Sequence, residues 1–223
     1  MNIILASSSP RRKDLLSLII DTFQIIPSNL NEEAFVKLAR TPEELVVKLA
    51  LAKAKEVVGR LPTKDVSGNG ESETIIISAD TIVVLEKDAK WHVLGKPKNI
   101  EEAKKMLKSL CDRTHKVFTG MSVLNTRINR FMTDFSVSSV TFKPVSDSLI
   151  ENYVETNKPL DKAGGYAIQE LGEAFVEKTD GSMTGIIGLS LPKLAVILKS
   201  FDVPLKPNWE EAVKKETKSM GEL

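Results

Sequence analysis

Residues 74–77 read Thr-Ile-Ile-Ile. Such a β-branched run has no polar face to turn to water, which predicts a central strand covered on both sides. It runs straight into Ser78-Ala79-Asp80-Thr81, and Ile82–Leu85 then continues extended. An aspartate delivered by a buried strand is a strong constraint. In α/β sheets a strand-end carboxylate points into the ligand crevice, where it can hold a hard cation or orient a water. The plainer reading, an Asp capping a turn, is weakened because Thr81–Leu85 has neither helical nor turn character.

The flanking chain alternates between the two periods. Ile3–Ala6 reads as a short strand, and Ser9-Pro10 as an N-cap followed by proline in the first helical position. Leu15, Leu16, Ile19 and Ile20 give the helical spacing behind it. A strand is expected at Phe23–Ile26 and a second capped helix from Thr41-Pro42-Glu43-Glu44, with Lys53 beside its apolar face. Residues 61–73 read as a surface loop and Lys87–Lys90 as a hairpin turn. Further on, helices are expected at Ile100–Leu110, Asp147–Thr156 and Leu191–Leu198. Strands are expected at Lys116–Leu124, Phe131–Phe142 and Glu173–Glu177. This order predicts an α/β chain with a mixed sheet. Residues 1–205 are expected to form one catalytic domain, with 206–223 a charged, loosely attached tail.

Composition narrows the function. Thirty-one Lys and Arg face thirty Asp and Glu, a net charge of +1, which argues against a protein that lives on a nucleic-acid backbone. The one cysteine, Cys111, excludes an intrachain disulfide and suits a reducing, cytoplasmic setting. It reads as a small, buried or half-buried thiol. No apolar run has the length of a membrane span, and the first residues lack the pattern of a secretory signal.

Four segments carry chemistry. Ala6-Ser7-Ser8-Ser9-Pro10-Arg11-Arg12 ends a strand, turns through serines and opens a helix. Free N–H groups, the helix dipole, hydroxyls and guanidinium groups together suit an anion. Asp80 with Thr81 is the second. Gly95-Lys96-Pro97 fixes a lysine between a permissive and a rigid residue. Asp161-Lys162-Ala163-Gly164-Gly165-Tyr166-Ala167-Ile168-Gln169 sets an amide side chain near a double glycine, and Gln169 can both donate to and accept from a base edge. Each has a bland alternative: solvated arginines, a capping Asp, a surface lysine, a tight turn with a satisfied Gln, and for Lys53 a snorkelling stem. His92 and His115 are expected to be dispensable for the chemistry, and His115 reads as a residue that caps or packs a strand.

Taken in order, the segments resemble the Maf family of nucleotide pyrophosphatases. Leu5–Arg12 matches its opening signature, followed by Leu49-Ala50-x-x-Lys53-Ala54, Ala79-Asp80-Thr81, Gly95-Lys96-Pro97, His115-x-Val117-x-Thr119-Gly120, Asp161–Gly164 and Ile168-Gln169. The resemblance implies an inosine triphosphatase-like fold: an elongated mixed sheet flanked by helices, with a deep cleft between two lobes. It implies cleavage of the α–β phosphate bond of a nucleoside triphosphate. It places Ser7, Ser9, Arg11 and Arg12 at the triphosphate with Lys53 and Lys96 in support. Glu32 and Asp80 become the acids for water and for a divalent metal, Mg²⁺ or Mn²⁺, and Glu32 is preferred to Glu33 by one residue. Asp80, Glu32 and Lys53 form the catalytic group, and Thr81 with Gln169 indicates the pyrimidine branch, acting on dTTP and UTP. A homodimer is left open. Three departures stand out: Met183 and Ser190 replace the family's usual Tyr and Pro, and loop 61–73 is longer than usual. The rival readings are a regulatory nucleotide-binding protein linked to cell-division arrest and a double-stranded nucleic-acid binder.

Overall fold

The computed structural model describes all residues except 37–38, 63–72, 88–89, 157 and 222–223, and the side chains of 33, 158 and 219–221 also lie outside it. Most of the expected loop 61–73 and the tip of the Lys87–Lys90 hairpin therefore fall outside the described residues. Strands are β1 (Asn2–Leu5), β2 (Gln24–Ile25), β3 (Thr74–Lys87), β4 (Lys90–Leu94), β5 (Thr114–Asn125), β6 (Arg130–Phe142) and β7 (Val176–Asp180). Helices are α1 (Pro10–Ser17), α2 (Glu33–Val36), α3 (Pro42–Arg60), α4 (Ile100–Leu110), α5 (Asp147–Glu155), α6 (Ile168–Phe175), α7 (Met183–Ile187), α8 (Leu191–Lys199) and α9 (Trp209–Gly221). The sheet runs β2-β1-β3-β5-β6-β7, with β4 also on β3. β1 pairs parallel with β2 and β3, and the remaining pairings are antiparallel. This is the mixed, helix-flanked α/β sheet that the sequence predicts.

The expected position of Asp80 at a strand end is corrected. Asp80 lies inside a strand, because β3 runs unbroken from Thr74 to Lys87. Its pairing explains why. β5 covers one edge of β3 continuously from Ile75 to Val84. On the other edge β1 takes Thr74–Ile77 and β4 takes Val83–Lys87. Residues 78–82 sit in the gap between these two partners, so the crevice opens beside the middle of the strand.

The side-chain period of two then sends neighbours to opposite faces. Ile75, Ile77, Ala79 and Val83 join the large core with α1, α4 and α8. Ile76, Ile82 and Val84 pack in the two clusters that hold the buried face of α3. By this alternation Asp80 faces α3 and Thr81 faces α1 and α7.

α3 starts as its sequence dictates: Thr41 Oγ1 accepts from Glu44 N at 3.2 Å, and the Glu44 carboxylate accepts from Arg40 N at 2.7 Å. It comes unusually close to the sheet at Gly120, the β5 partner of Asp80. A Cβ at Gly120 would lie 2.3 Å from the Val46 backbone. Ser78 Oγ donates to Ala50 O at 2.6 Å and ties the same helix to β3.

Toward the C-terminus the structure differs in detail from the sequence reading. The expected strand at Glu173–Glu177 is moved to Val176–Asp180, because Ile168–Phe175 takes a helical path. The short helix α7 has no counterpart in the sequence reading. Within the tail, Trp209–Gly221 is helical, Val213 is buried, and Lys206 N donates to Ile19 O at 2.9 Å. No helix of the described residues is long and apolar enough to cross a membrane.

Candidate active site

Ser7, Ser9, Arg11, Arg12, Glu32, Lys53, Asp80, Thr81, Lys96 and Gln169 all line one cavity of about 480 Å³. It fills the gap beside β3 and is walled by the loop after β1, the turn after β4 and the start of α6. Residues more than 150 positions apart in the chain therefore meet at one place.

The acidic centre is compact. Lys53, only 9% exposed, comes off the buried face of α3, so it is not a snorkelling surface lysine. Its Nζ lies 2.5 Å from Asp80 Oδ1 and 2.7 Å from Glu32 Oε1. Asp80 is 4% exposed, and burying a carboxylate is costly without a partner, which Lys53 supplies. At Glu32 partial burial pushes the pKa up, but the charge and hydrogen bond of Lys53, followed by Lys96 and Arg12, hold it below the usual carboxylate range. The side chain of Glu33 lies outside the described residues.

The anion loop is pre-organised. Ser7 Oγ accepts from Ser9 N at 3.2 Å and from Arg12 Nη1 at 3.3 Å. Ser9 caps α1 with Pro10 behind it. Arg12 is tied further, Nε donating to Gly188 O at 3.0 Å and Nη2 to Thr81 Oγ1 at 3.1 Å. Burial pulls its pKa below the ordinary arginine range, against the attraction of Asp80 and Glu32; a guanidinium remains charged regardless.

Three features escape the sequence reading. Asp161 and Lys162 lie in the Asp161–Gly164 motif, whose charged pair shows no chemistry in the sequence alone. Lys162 is 5% exposed, with Nζ 2.6 Å from Asp161 Oδ1 and 3.6 Å from Glu170 Oε1. Asp161 Oδ2 also lies 3.5 Å from Arg11 Nη1, so these charges bridge the anion loop and α6. The double glycine has a backbone reason: Gly164 has φ +69°, and its N–H donates to Gly95 O at 3.0 Å, fixing the Lys96 turn. Thr119, buried behind Thr81, contacts it at 2.9 Å.

His115 is a packing residue, its Nε2 2.7 Å from Tyr166 Oη and its ring edge-on to Phe142. Cys111 is half-buried, its Sγ donating to Leu107 O at 3.2 Å.

Among the described residues no cluster of three or more His, Cys, Asp or Glu gathers to hold a metal. Asp80 and Glu32 do fit a cation that completes its shell from a ligand. Lys53 takes Oδ1 and Oε1, and the second oxygen of each carboxylate has no partner among the described residues. Mg²⁺ sites commonly use one or two carboxylates plus substrate phosphates.

Comparison with known proteins agrees with this geometry. The family described as Maf-like protein matches residues 2–201. A dTTP/UTP pyrophosphatase of Thermoanaerobacter sp. (strain X514) is 42% identical over 206 residues, covering 92% of this chain and 100% of that protein. The dTTP/UTP pyrophosphatase of Caldicellulosiruptor saccharolyticus is 41% identical over 203 residues, covering 91% of this chain and 96% of its own. That of Clostridium tetani is 41% identical over 205 residues, covering 92% and 100%. With nearly the whole chain matched, and the residues of the matching motifs meeting around one cavity, the chain belongs to the Maf-like protein family.

Proposed function

We propose that this chain is a nucleoside triphosphate pyrophosphatase that cleaves the α–β phosphate bond of dTTP, UTP and modified relatives, releasing nucleoside monophosphate and pyrophosphate. The observation that carries this reading is the Glu32–Lys53–Asp80 group, set in one cavity with the serine loop and the cations Arg11, Arg12 and Lys96. The similar proteins named dTTP/UTP pyrophosphatase support it. Residues 1–205 carry this chemistry, in a cytoplasmic, nucleotide-pool setting.

Chemically, a triphosphate needs its negative charge neutralised and a water aimed at the α-phosphorus. The open end of α1, Ser7, Ser9, Arg11 and Lys96 receive the phosphates. Asp80 and Glu32 would hold a divalent metal, Mg²⁺ or Mn²⁺, which would supply further positive charge to the triphosphate. Asp80 accepts the proton of the attacking water, while Lys53 stays hydrogen-bonded to its Oδ1. The new bond joins the water oxygen to the α-phosphorus; the bond from that phosphorus to the α–β bridging oxygen breaks, and pyrophosphate leaves. Glu32 positions Lys53 from its other side. Arg12 touches both halves of the site, Ser7 in the anion loop and Thr81, and Thr81 with Gln169 meets the pyrimidine.

A regulatory nucleotide binder would need the cations but not a lysine-held acid, and no observation favours it. Pyrophosphate release measured over a panel of nucleoside triphosphates, with and without divalent metal, tests the reading. Release is expected to depend on metal and to be faster with dTTP and UTP than with ATP and GTP. Faster purine turnover would overturn the base assignment, and tight binding without release would overturn the enzyme.

A further inference from the structure

We infer that Thr119, a positioning residue outside the cavity wall, fixes the hydrogen-bond polarity of Thr81 and so commits the site to a pyrimidine bearing an N3–H. The inference rests on the proposal that Thr81 reads the base.

It comes from counting hydroxyl protons. A threonine hydroxyl has one hydrogen and two acceptor positions. Thr119 Oγ1 lies 2.8 Å from Gly185 O. A carbonyl can only accept, so the hydrogen of Thr119 is spent there. Thr81 Oγ1 lies 2.9 Å from Thr119 Oγ1. Since Thr119 has no second hydrogen, Thr81 must donate in this contact. Thr81 also accepts from Arg12 Nη2 at 3.1 Å. What Thr81 can still offer the cavity it lines is one lone pair and no hydrogen.

Frame and helix hold this arrangement. Thr81 and Thr119 are direct partners in the β3–β5 ladder, so their side chains share a face. Gly185 lies in α7, close against β6; a Cβ there would stand 2.5 Å from Ser136 Oγ. Thr119 is fully buried and cannot exchange its partner for water.

The consequence is chemical selection. Phosphate oxygens only accept, so Thr81 is unsuited to the triphosphate and suited to a donor. Uracil and thymine present a donor at N3 beside carbonyl oxygens, and Arg12 supplies donors next to Thr81 for such an oxygen. Cytosine carries a lone pair at N3, which would face the Thr81 lone pair.

The test is kcat/KM for UTP and CTP in the wild type and in Thr119→Val, Thr119→Ser and Thr81→Val. The wild type is expected to prefer UTP. Thr119→Ser should keep the preference. Thr119→Val frees the Thr81 hydrogen and should narrow the UTP/CTP ratio by about tenfold, CTP gaining relative to UTP. An unchanged ratio in Thr119→Val, with the ratio lost in Thr81→Val, overturns the polarity inference and leaves base reading intact. An unchanged ratio in Thr81→Val instead overturns base reading itself. Should Thr119→Val fail to fold, 3-methyluridine triphosphate serves on the wild type: turnover about tenfold or more below UTP supports the inference, and turnover equal to UTP overturns it.

Discussion

Lys53 Nζ stands 2.5 Å from Asp80 Oδ1, from a helix on one face of the strand that carries the aspartate. The lysine gives that buried acid an ion-pair and hydrogen-bond partner. Asp80→Asn keeps the shape and removes the charge. Lys53 retains Glu32 as its partner, so the fold should hold. Turnover is expected to fall by about two to four orders of magnitude, with nucleotide affinity retained. Pyrophosphate release and equilibrium nucleotide binding in one purified variant check this; near-normal turnover would pass the role to Glu32.

Arg12 is held by protein at Gly188, Ser7 and Thr81. Arg12→Ala should therefore lower kcat/KM by about a hundredfold, the equivalent of about 3 kcal/mol. It should also weaken the preference among bases, because Thr81 loses a partner. Steady-state kinetics on UTP, CTP and ATP measure both effects, and unchanged values in a folded variant would remove Arg12 from the site.

His115 is buried neutral, its pKa pushed down to about 4 by burial. The unfolded chain takes up the proton first, near the usual histidine value of about 6.5. The folded state is thus penalised as pH falls from about 6.5 toward 4, and stability rises with pH through that window. The contribution lost between pH 7.5 and 5 is about 2 kcal/mol. Urea unfolding of the wild type and of His115→Gln at both pH values checks this. The variant should lose stability less steeply on acidification, and equal slopes would contradict the assignment.

The C-terminal helix is attached through Val213 and Trp209 to the main core. Ending the chain after Asn208 should leave kcat nearly unchanged, since the ten site residues precede it. It should cost about 2 kcal/mol of apolar burial, seen as a fall of about 5 °C in Tm. A large loss of kcat would show that residues 209–223 belong to the catalytic unit.

Much of the site is legible in sequence because each part has a local cause. Ser9 and Pro10 start α1 wherever it packs, and the β-branched run at residues 74–77 needs burial in any fold. Position along β3 is less legible. Asp80 reads as a strand end because polarity changes at Ser78, whereas the strand continues where β5 pairs with it. Contacts such as Arg12 with Gly188, 176 residues apart, leave no local pattern. The same holds for Thr81 with Thr119, 38 residues apart. The helices α6 and α7 are short, and α6 has a glycine at φ +53°, so their periodicity is too brief to detect.

Gly120 lies directly across the ladder from Asp80, under the backbone of Val46. The height of α3 above the sheet is therefore set there by a missing side chain, and that height brings Lys53 to Asp80. Even one methyl group at residue 120 must lift the helix or tilt it, parting the two charges without touching the cavity. Engineering of this scaffold thus has an asymmetric landscape: the side chains that line the cavity are the visible targets, while residue 120, with no side chain at all, is closed to substitution unless α3 moves.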